Sequence, residues 1–169
     1  TLVTESLAGT AALKVSSTRP DLIRRLVLLS PAGVNSLATG PSQREQRLFE
    51  RLSKDDAGLL AFYDNLLNDN SLRFFLKFGF YDDSLVDEDL LADFRVMKQN
   101  IDQRFISLSF VSGQIYRSFE ESSRNVFIPV LGLFGREYEN FQETRPSTAD
   151  DFRKIRPEFD YVEIPFSGS

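Results

Sequence analysis

Ser6 stands in the run Thr4-Glu5-Ser6-Leu7-Ala8-Gly9-Thr10-Ala11-Ala12, between a short strand-like tail and a series of small residues. A serine at such a place is either an ordinary small residue in a strand-to-helix turn or a nucleophile. The second role needs help, because a hydroxyl attacks a carbonyl carbon poorly until a neighbouring base takes its proton. Histidine is the usual base near neutral pH, and the chain has none. Cysteine is absent as well, which excludes thiol catalysis and disulfides within the chain. The carboxylates that follow Gly135, Glu137 and Glu139, read more simply as solvated loop charges, since surface carboxylates are common. Ser107, Ser109 and Ser112 lie at helical spacing with no adjacent base and are bystanders. Arg19, Arg24 and Arg25 fall at the ends of elements and are read as solvated.

The elements that must position Ser6 are legible around it. Thr1-Leu2-Val3-Thr4 reads as the tail of a β-strand already in progress, so an upstream segment of the same domain is expected. Gly9 to Val15 reads as a helix that ends before Arg19-Pro20, because the residue before a proline avoids helical angles. Arg25-Leu26-Val27-Leu28-Leu29, bounded by Pro31 and Gly33, suits a strand buried on both faces of a parallel sheet. Strand, helix and strand in that order are the unit of an α/β fold.

From Ser42 to Ile115 the apolar residues recur at helical spacing and no strand is convincing. Leu48, Leu52, Leu59, Phe62 and Leu66 make one series, and Leu90, Phe94, Met97 and Ile101 make another. Asp87, Glu88 and Asp89 open the second, where the helix dipole favours acids. Phe105, Leu108, Val111 and Ile115 make a third. Between them Phe74 to Tyr81 is aromatic enough to be expected in the core of this helical insertion, and it could also wall a substrate pocket. The α/β pattern resumes at Val126 to Gly135, a second buried strand. Ser147 with Asp150 then looks like a helix cap, the helix running to about Ile155 before Pro157. A last strand, Phe159 to Ile164, ends at Pro165. The expected division is therefore an α/β core from 1–38 and 124–169, with a helical cap or lid at 39–123.

Composition narrows the function classes. The chain's 169 residues, 41% hydrophobic, suffice for one domain with a substantial core. A net charge of −5 argues against nucleic acid, which asks for a clustered basic face. No apolar run approaches the roughly 20 residues that a membrane-spanning helix needs.

The Thr4–Ala12 run resembles the nucleophile elbow of the α/β-hydrolase superfamily, G-x-S-x-G between a strand and a helix. Here the flanks are Thr4 and Ala8, with Gly9 one place later. Ala8 is a mild departure; Thr4 is a larger one, a β-branched residue where glycine relieves crowding. Ile128-Pro129-Val130-Leu131 with Gly135 is similar to the later hydrolase strand I-P-V-L-x-x-x-G. The family's acidic position then falls on Tyr138, flanked by Glu137 and Glu139. Asp160 to Ser169 is similar to the strand and glycine that lead to the family's histidine. That position is Ser169 in the simplest register, or a few residues beyond it in another. The narrower resemblance is to hydrolase-like proteins of cyanobacteria and plastids.

The resemblance implies an α/β fold: the C-terminal part of an α/β-hydrolase parallel sheet with an inserted helical cap. It implies a serine hydrolase acting on a small-molecule ester or related acyl substrate, with no cofactor and no metal, in the cytoplasm or plastid stroma. Ser6 would be the nucleophile, and the backbone N–H of Leu7 half of an oxyanion hole whose other half lies upstream. Glu139 or Glu137 would be the acid, orienting a histidine supplied from outside this chain. These 169 residues by themselves are then expected to be inactive. Thr4, Tyr138 and the missing histidine leave a second reading open, in which a catalytically degenerate hydrolase fold serves as a binding or scaffold protein.

Overall fold

The computed structural model describes residues 1–136 and 148–167, with only the backbone at 35 and 36. In chain order the elements are β1 (Leu2–Glu5), α1 (Ala8–Thr18), β2 (Leu26–Leu29), α2 (Gln43–Leu52), α3 (Asp56–Leu66), α4 (Asp69–Lys77), α5 (Glu88–Lys98), α6 (Arg104–Val111), α7 (Phe119–Ser123), β3 (Val130–Gly135), α8 (Ala149–Ile155) and β4 (Asp160–Ile164). They divide into two compact units, Thr1–Thr39 with Tyr116–Ser169, and Gly40–Ile115.

The first unit is built on a four-stranded parallel sheet in the order β1-β2-β3-β4. Register sets Glu5 beside Leu29, and Leu29 beside Leu133. Strand order follows chain order, which is what successive strand–crossover–strand connections produce. Leu26 and Leu28 are buried while Val27 and Leu29 are only half-buried, so the run is not equally covered on its two faces. The expected strand from Val126 is shorter than its apolar run. Pro129 has no N–H to give a ladder, although its carbonyl accepts from Leu26 N at 3.0 Å, and strand geometry begins at Val130.

Helix α1 ends where Pro20 requires, the Arg19 N–H closing on Val15 O at 2.7 Å. Its Leu13 packs with Leu26, Leu28, Phe119, Phe134 and Phe152 in the main core. Phe152 meets Phe119 edge to face at 4.6 Å and Phe134 at 5.0 Å, arrangements that add to the burial of each ring. The cap of α8 lies one residue later than Ser147 and Asp150 suggest. Thr148 donates from its backbone N to Asp151 Oδ2 at 3.0 Å, which sets the helix start at Ala149.

Residues 116–123 belong with the sheet and not with the helical insertion expected to end at 123. Phe119 is fully buried in the main core, and its N–H donates to Gly33 O at 2.8 Å. That bond brings the start of α7 against the loop that leaves β2.

The second unit holds α2 to α6, and every residue from 40 to 115 is described without a strand. Its core is Leu52, Leu59 and Leu108, with Leu48, Phe49 and Phe62 packed around them. The aromatic segment expected in that core is outside it. Phe74 and Tyr81 are more than half exposed, and Phe74 makes edge contacts with Phe75 at 5.5 Å and Phe78 at 5.1 Å instead. Helix α4 spends its apolar face locally because Leu72 alone of its side chains is buried.

Candidate active site

Ser6 occupies the turn between β1 and α1, with φ at +50°. A non-glycine residue at that angle is strained, because its Cβ crowds the backbone, and such residues cluster where function requires them. The surrounding chain holds Ser6 there through both of its backbone groups. Its N–H donates to Leu29 O at 2.9 Å, and its carbonyl accepts from Gly9 N at 3.1 Å and Ala32 N at 3.3 Å. The side chain is exposed, and among the described residues the hydroxyl has no hydrogen-bond partner.

Leu7 follows in helical angles as the residue that opens α1. Among the described residues its backbone N–H has no acceptor, as the first N–H groups of a helix require unless a side chain or ligand takes them. The Thr10 hydroxyl donates to Leu7 O at 2.9 Å and ties the first turn down. An N–H left open at a helix N-terminus can stabilise negative charge on an oxygen beside it, whereas the exposed hydroxyl becomes a good nucleophile only when a base takes its proton.

The departures from the family's motif have physical counterparts. A Cβ on Gly9 would sit 3.3 Å from Leu28 Cδ2 and 3.6 Å from Pro31 Cβ. Position 9 is thus where close approach of helix and strand is needed, one residue later than the motif places it. The Thr4 Oγ1 is buried without a hydrogen-bond partner. An unmade bond of this kind costs about 1–3 kcal/mol.

All four strands are parallel, so Ser6, Ser30, Arg136 and Pro165 leave the same edge of the sheet. That is the edge at which open α/β sheets bind ligands. Ser30 directly follows the residue paired with Glu5, is buried, and has φ +38°. The sequence noted Ser30 to Gly33 only as context. The structure makes this loop the brace of the turn at Ser6, through Ala32 N, and no local signal in the sequence marks a contact between positions 6 and 32.

Glu137, Tyr138 and Glu139 lie outside the described residues, as does Ser169. Arg136, the last described residue before them, donates from its N–H to Ile164 O at 3.0 Å. Ser109 and Ser112 each donate back along α6, to Phe105 O and Leu108 O, as bystanders do. Arg19 is not merely solvated. It holds Asp21 through two bonds of 2.9 and 2.8 Å, and the guanidinium keeps that carboxyl below its ordinary range. Among the described residues no cluster of acids could hold a metal ion, and no helix is long and apolar enough to cross a membrane.

No family model matches the sequence, and no curated protein matches it. Solved structures do match in fold. A hydrolase of 2-hydroxy-6-oxo-6-phenylhexa-2,4-dienoate from Rhodococcus sp. strain RHA1 aligns with TM-score 0.63 at 17% identity, covering 98% of this chain and 56% of that one. A putative lipase from Acinetobacter baumannii aligns with TM-score 0.60 at 16% identity, covering 98% and 52%. A serine hydrolase from Cycloclasticus zankles aligns with TM-score 0.59 at 15% identity, covering 98% and 56%. The chain spans a little over half the length of these structures. They do not bear on the narrower likeness to cyanobacterial and plastid proteins.

Proposed function

We propose, on the premise that this chain has the α/β-hydrolase fold, that it is part of a serine hydrolase acting on an ester or related acyl substrate, with Ser6 as its nucleophile. The observation that carries the proposal is the strained, exposed Ser6 at the end of β1, held at φ +50° with its hydroxyl unpartnered among the described residues. In this reading the Ser6 Oγ attacks the substrate carbonyl carbon, and Leu7 N–H donates to the oxygen as it gains charge. The proton from Ser6 goes to a histidine outside these 169 residues, oriented by Glu139 or Glu137. Water then releases the acyl group and restores the serine. The Gly40–Ile115 unit is the helical cap, and the substrate is a small molecule.

General-base assistance is typically worth ~10²–10⁴-fold. One oxyanion-hole donor is worth ~10²–10³-fold in kcat. The 169 residues lack the histidine, so by themselves they are expected to be inactive. Turnover of p-nitrophenyl esters by the full-length protein, beside its Ser6→Ala variant, tests the proposal. Serine-dependent turnover, with the variant down about 10³-fold or more, is expected.

The absent histidine and the threonine at position 4 favour the second reading, a degenerate hydrolase fold that binds or scaffolds. Equal and negligible rates for the two proteins, with no labelling of Ser6 by a fluorophosphonate, would replace the first reading with the second.

A further inference from the structure

Ser30 stands at the end of β2 beside the turn that carries Ser6, and nucleophilic attack by Ser6 gives it no task. Thr4 pairs with Leu28 and Glu5 with Leu29, so the next residues in register are Ser6 and Ser30. Neighbouring strands run about 4.8 Å apart. The two serines therefore sit side by side on the edge where open α/β sheets take ligands. Both have left-handed φ, +50° at Ser6 and +38° at Ser30. Such angles are costly for residues other than glycine and persist only where the surroundings impose them.

The loop that opens at Ser30 is pinned at three points. Ser30 N–H donates to Leu133 O at 2.8 Å, Ala32 N–H donates to Ser6 O at 3.3 Å, and Gly33 O accepts from Phe119 N at 2.8 Å. Ser30 is only 9% exposed, and among the described residues its hydroxyl has no hydrogen-bond partner. The other buried serines differ: Ser16, Ser112, Ser122 and Ser123 each donate to a carbonyl three or four residues back. Nor is the Ser30 oxygen sealed in. Among the described residues, the side-chain polar atoms both closed to solvent and unpartnered belong to Thr4 and Arg156. What stays open on Ser30 thus includes the one side-chain atom that can hydrogen-bond a ligand.

We propose that Ser30 is a specificity-determining residue of this site, and that the preferred acyl substrates carry a hydroxyl or oxo group on the β or γ carbon. The proposal rests on the reading of Ser6 as the nucleophile. A carbonyl carbon poised for attack lies about 3–3.5 Å from the Ser6 oxygen. A group hydrogen-bonded to Ser30 lies about 2.8 Å from its oxygen. With the serines one strand spacing apart, that group falls about 3–5 Å from the carbonyl carbon, the reach of a substituent on the β or γ carbon. A serine hydroxyl both donates and accepts, so it takes a neutral hydroxyl or carbonyl oxygen without asking for charge.

The test compares kcat/KM of the full-length protein for p-nitrophenyl β-hydroxybutanoate against butanoate, and for levulinate against pentanoate, with the leaving group constant. The oxygenated ester of each pair should be favoured about 10-fold, the worth of one neutral hydrogen bond. Ser30→Ala, which keeps the Cβ, should abolish the preference, and so should Ser30→Gly, which is unstrained at that angle. Ser30→Asn, at ease in left-handed angles, should keep part of it. Ser17→Ala, at the far end of α1, should keep all of it. Binding is read separately by isothermal titration of the Ser6→Ala protein with the same esters, which needs no turnover. Tighter binding of the oxygenated esters that Ser30→Ala removes, without Ser6-dependent turnover, would uphold the Ser30 contact and remove Ser6 as nucleophile. Three outcomes overturn the proposal: no preference in either turnover or binding, a preference that survives both Ser30→Ala and Ser30→Gly, or a loss in Ser30→Ala that is equal for all four esters, as a merely structural serine would give.

Discussion

Replacing Gly33 by alanine should destabilise the first unit far more than an exposed loop glycine would suggest. Gly33 has φ +104°, and a Cβ there would lie 2.5 Å from Arg117 O, 2.9 Å from Phe119 N and 2.9 Å from Thr10 Cγ2. Two of these neighbours are backbone atoms, which cannot rotate away. Left-handed angles cost alanine about 1–2 kcal/mol, and forcing an extra carbon into packed surroundings costs about 1–3 kcal/mol. The Phe119 N–H to Gly33 O bond, 2.8 Å long, would be stretched, losing about 1 kcal/mol. Restricting the unfolded chain returns about 0.4–1 kcal/mol. The net loss is about 2–5 kcal/mol, a large share of the roughly 5–15 kcal/mol typical of a domain. Gly40→Ala is the control, because a Cβ there meets nothing within 4 Å, and its effect should stay within about 0.5 kcal/mol. Urea unfolding followed by far-UV circular dichroism measures both, and the chain has no tryptophan to report instead. Because Ala32 N–H holds the Ser6 carbonyl, Gly33→Ala should also slow any fluorophosphonate labelling of the full-length protein, if Ser6 is the nucleophile proposed above. A Gly33→Ala protein within 1 kcal/mol of Gly40→Ala (less than the least strain term) would refute the reasoning.

Two further expectations concern the same unit. Phe152→Ala removes a fully buried ring that packs on Phe119 and Phe134 and should cost about 3–5 kcal/mol, whereas Phe127→Ala, 88% exposed, should change stability by no more than about 0.5 kcal/mol; equal urea midpoints for the two would contradict the assigned core. Burial pushes the Tyr161 phenol up, and its hydroxyl donates to Phe152 O and Arg156 O. The unfolded tyrosine ionises first, near pH 10 or so, so this contribution is whole below about pH 10 and is lost as pH rises above it. Thermal melts between pH 9 and 11 should therefore fall less steeply for Tyr161→Phe than for the parent, and identical slopes would show that the phenol is not held neutral.

Sequence by itself determined the elements and their kind. Leu26 to Leu29 form a continuous apolar run, between turn residues, that suits a strand of a covered sheet, Pro20 sets the end of α1, and the spacing from Leu48 to Ile115 is helical. It also pointed to Ser6, since a serine between strand and small-residue helix is a local pattern. What depends on distant partners was not legible. Pro129 shortens β3 because its missing N–H matters only once β2 lies alongside. Phe119 reads as the end of the helical insertion, yet its burial against Leu28 and Phe152 assigns it to the sheet. The aromatic run at Phe74 looks like core, but hydrophobicity does not say which faces find partners, and Leu52, Leu59 and Leu108 found each other instead. The strain at Ser6 and the brace from Ala32 exist only when β1 and β2 pair, because a turn alone would relax. The capping box of Ser42 and Glu45 is visible as a spacing, but that Gln46, which donates to Glu50, is held by Gln114, 68 residues away, is decided by folding. Local preference is written residue by residue, whereas partnership between distant groups is settled by which of them folding brings together.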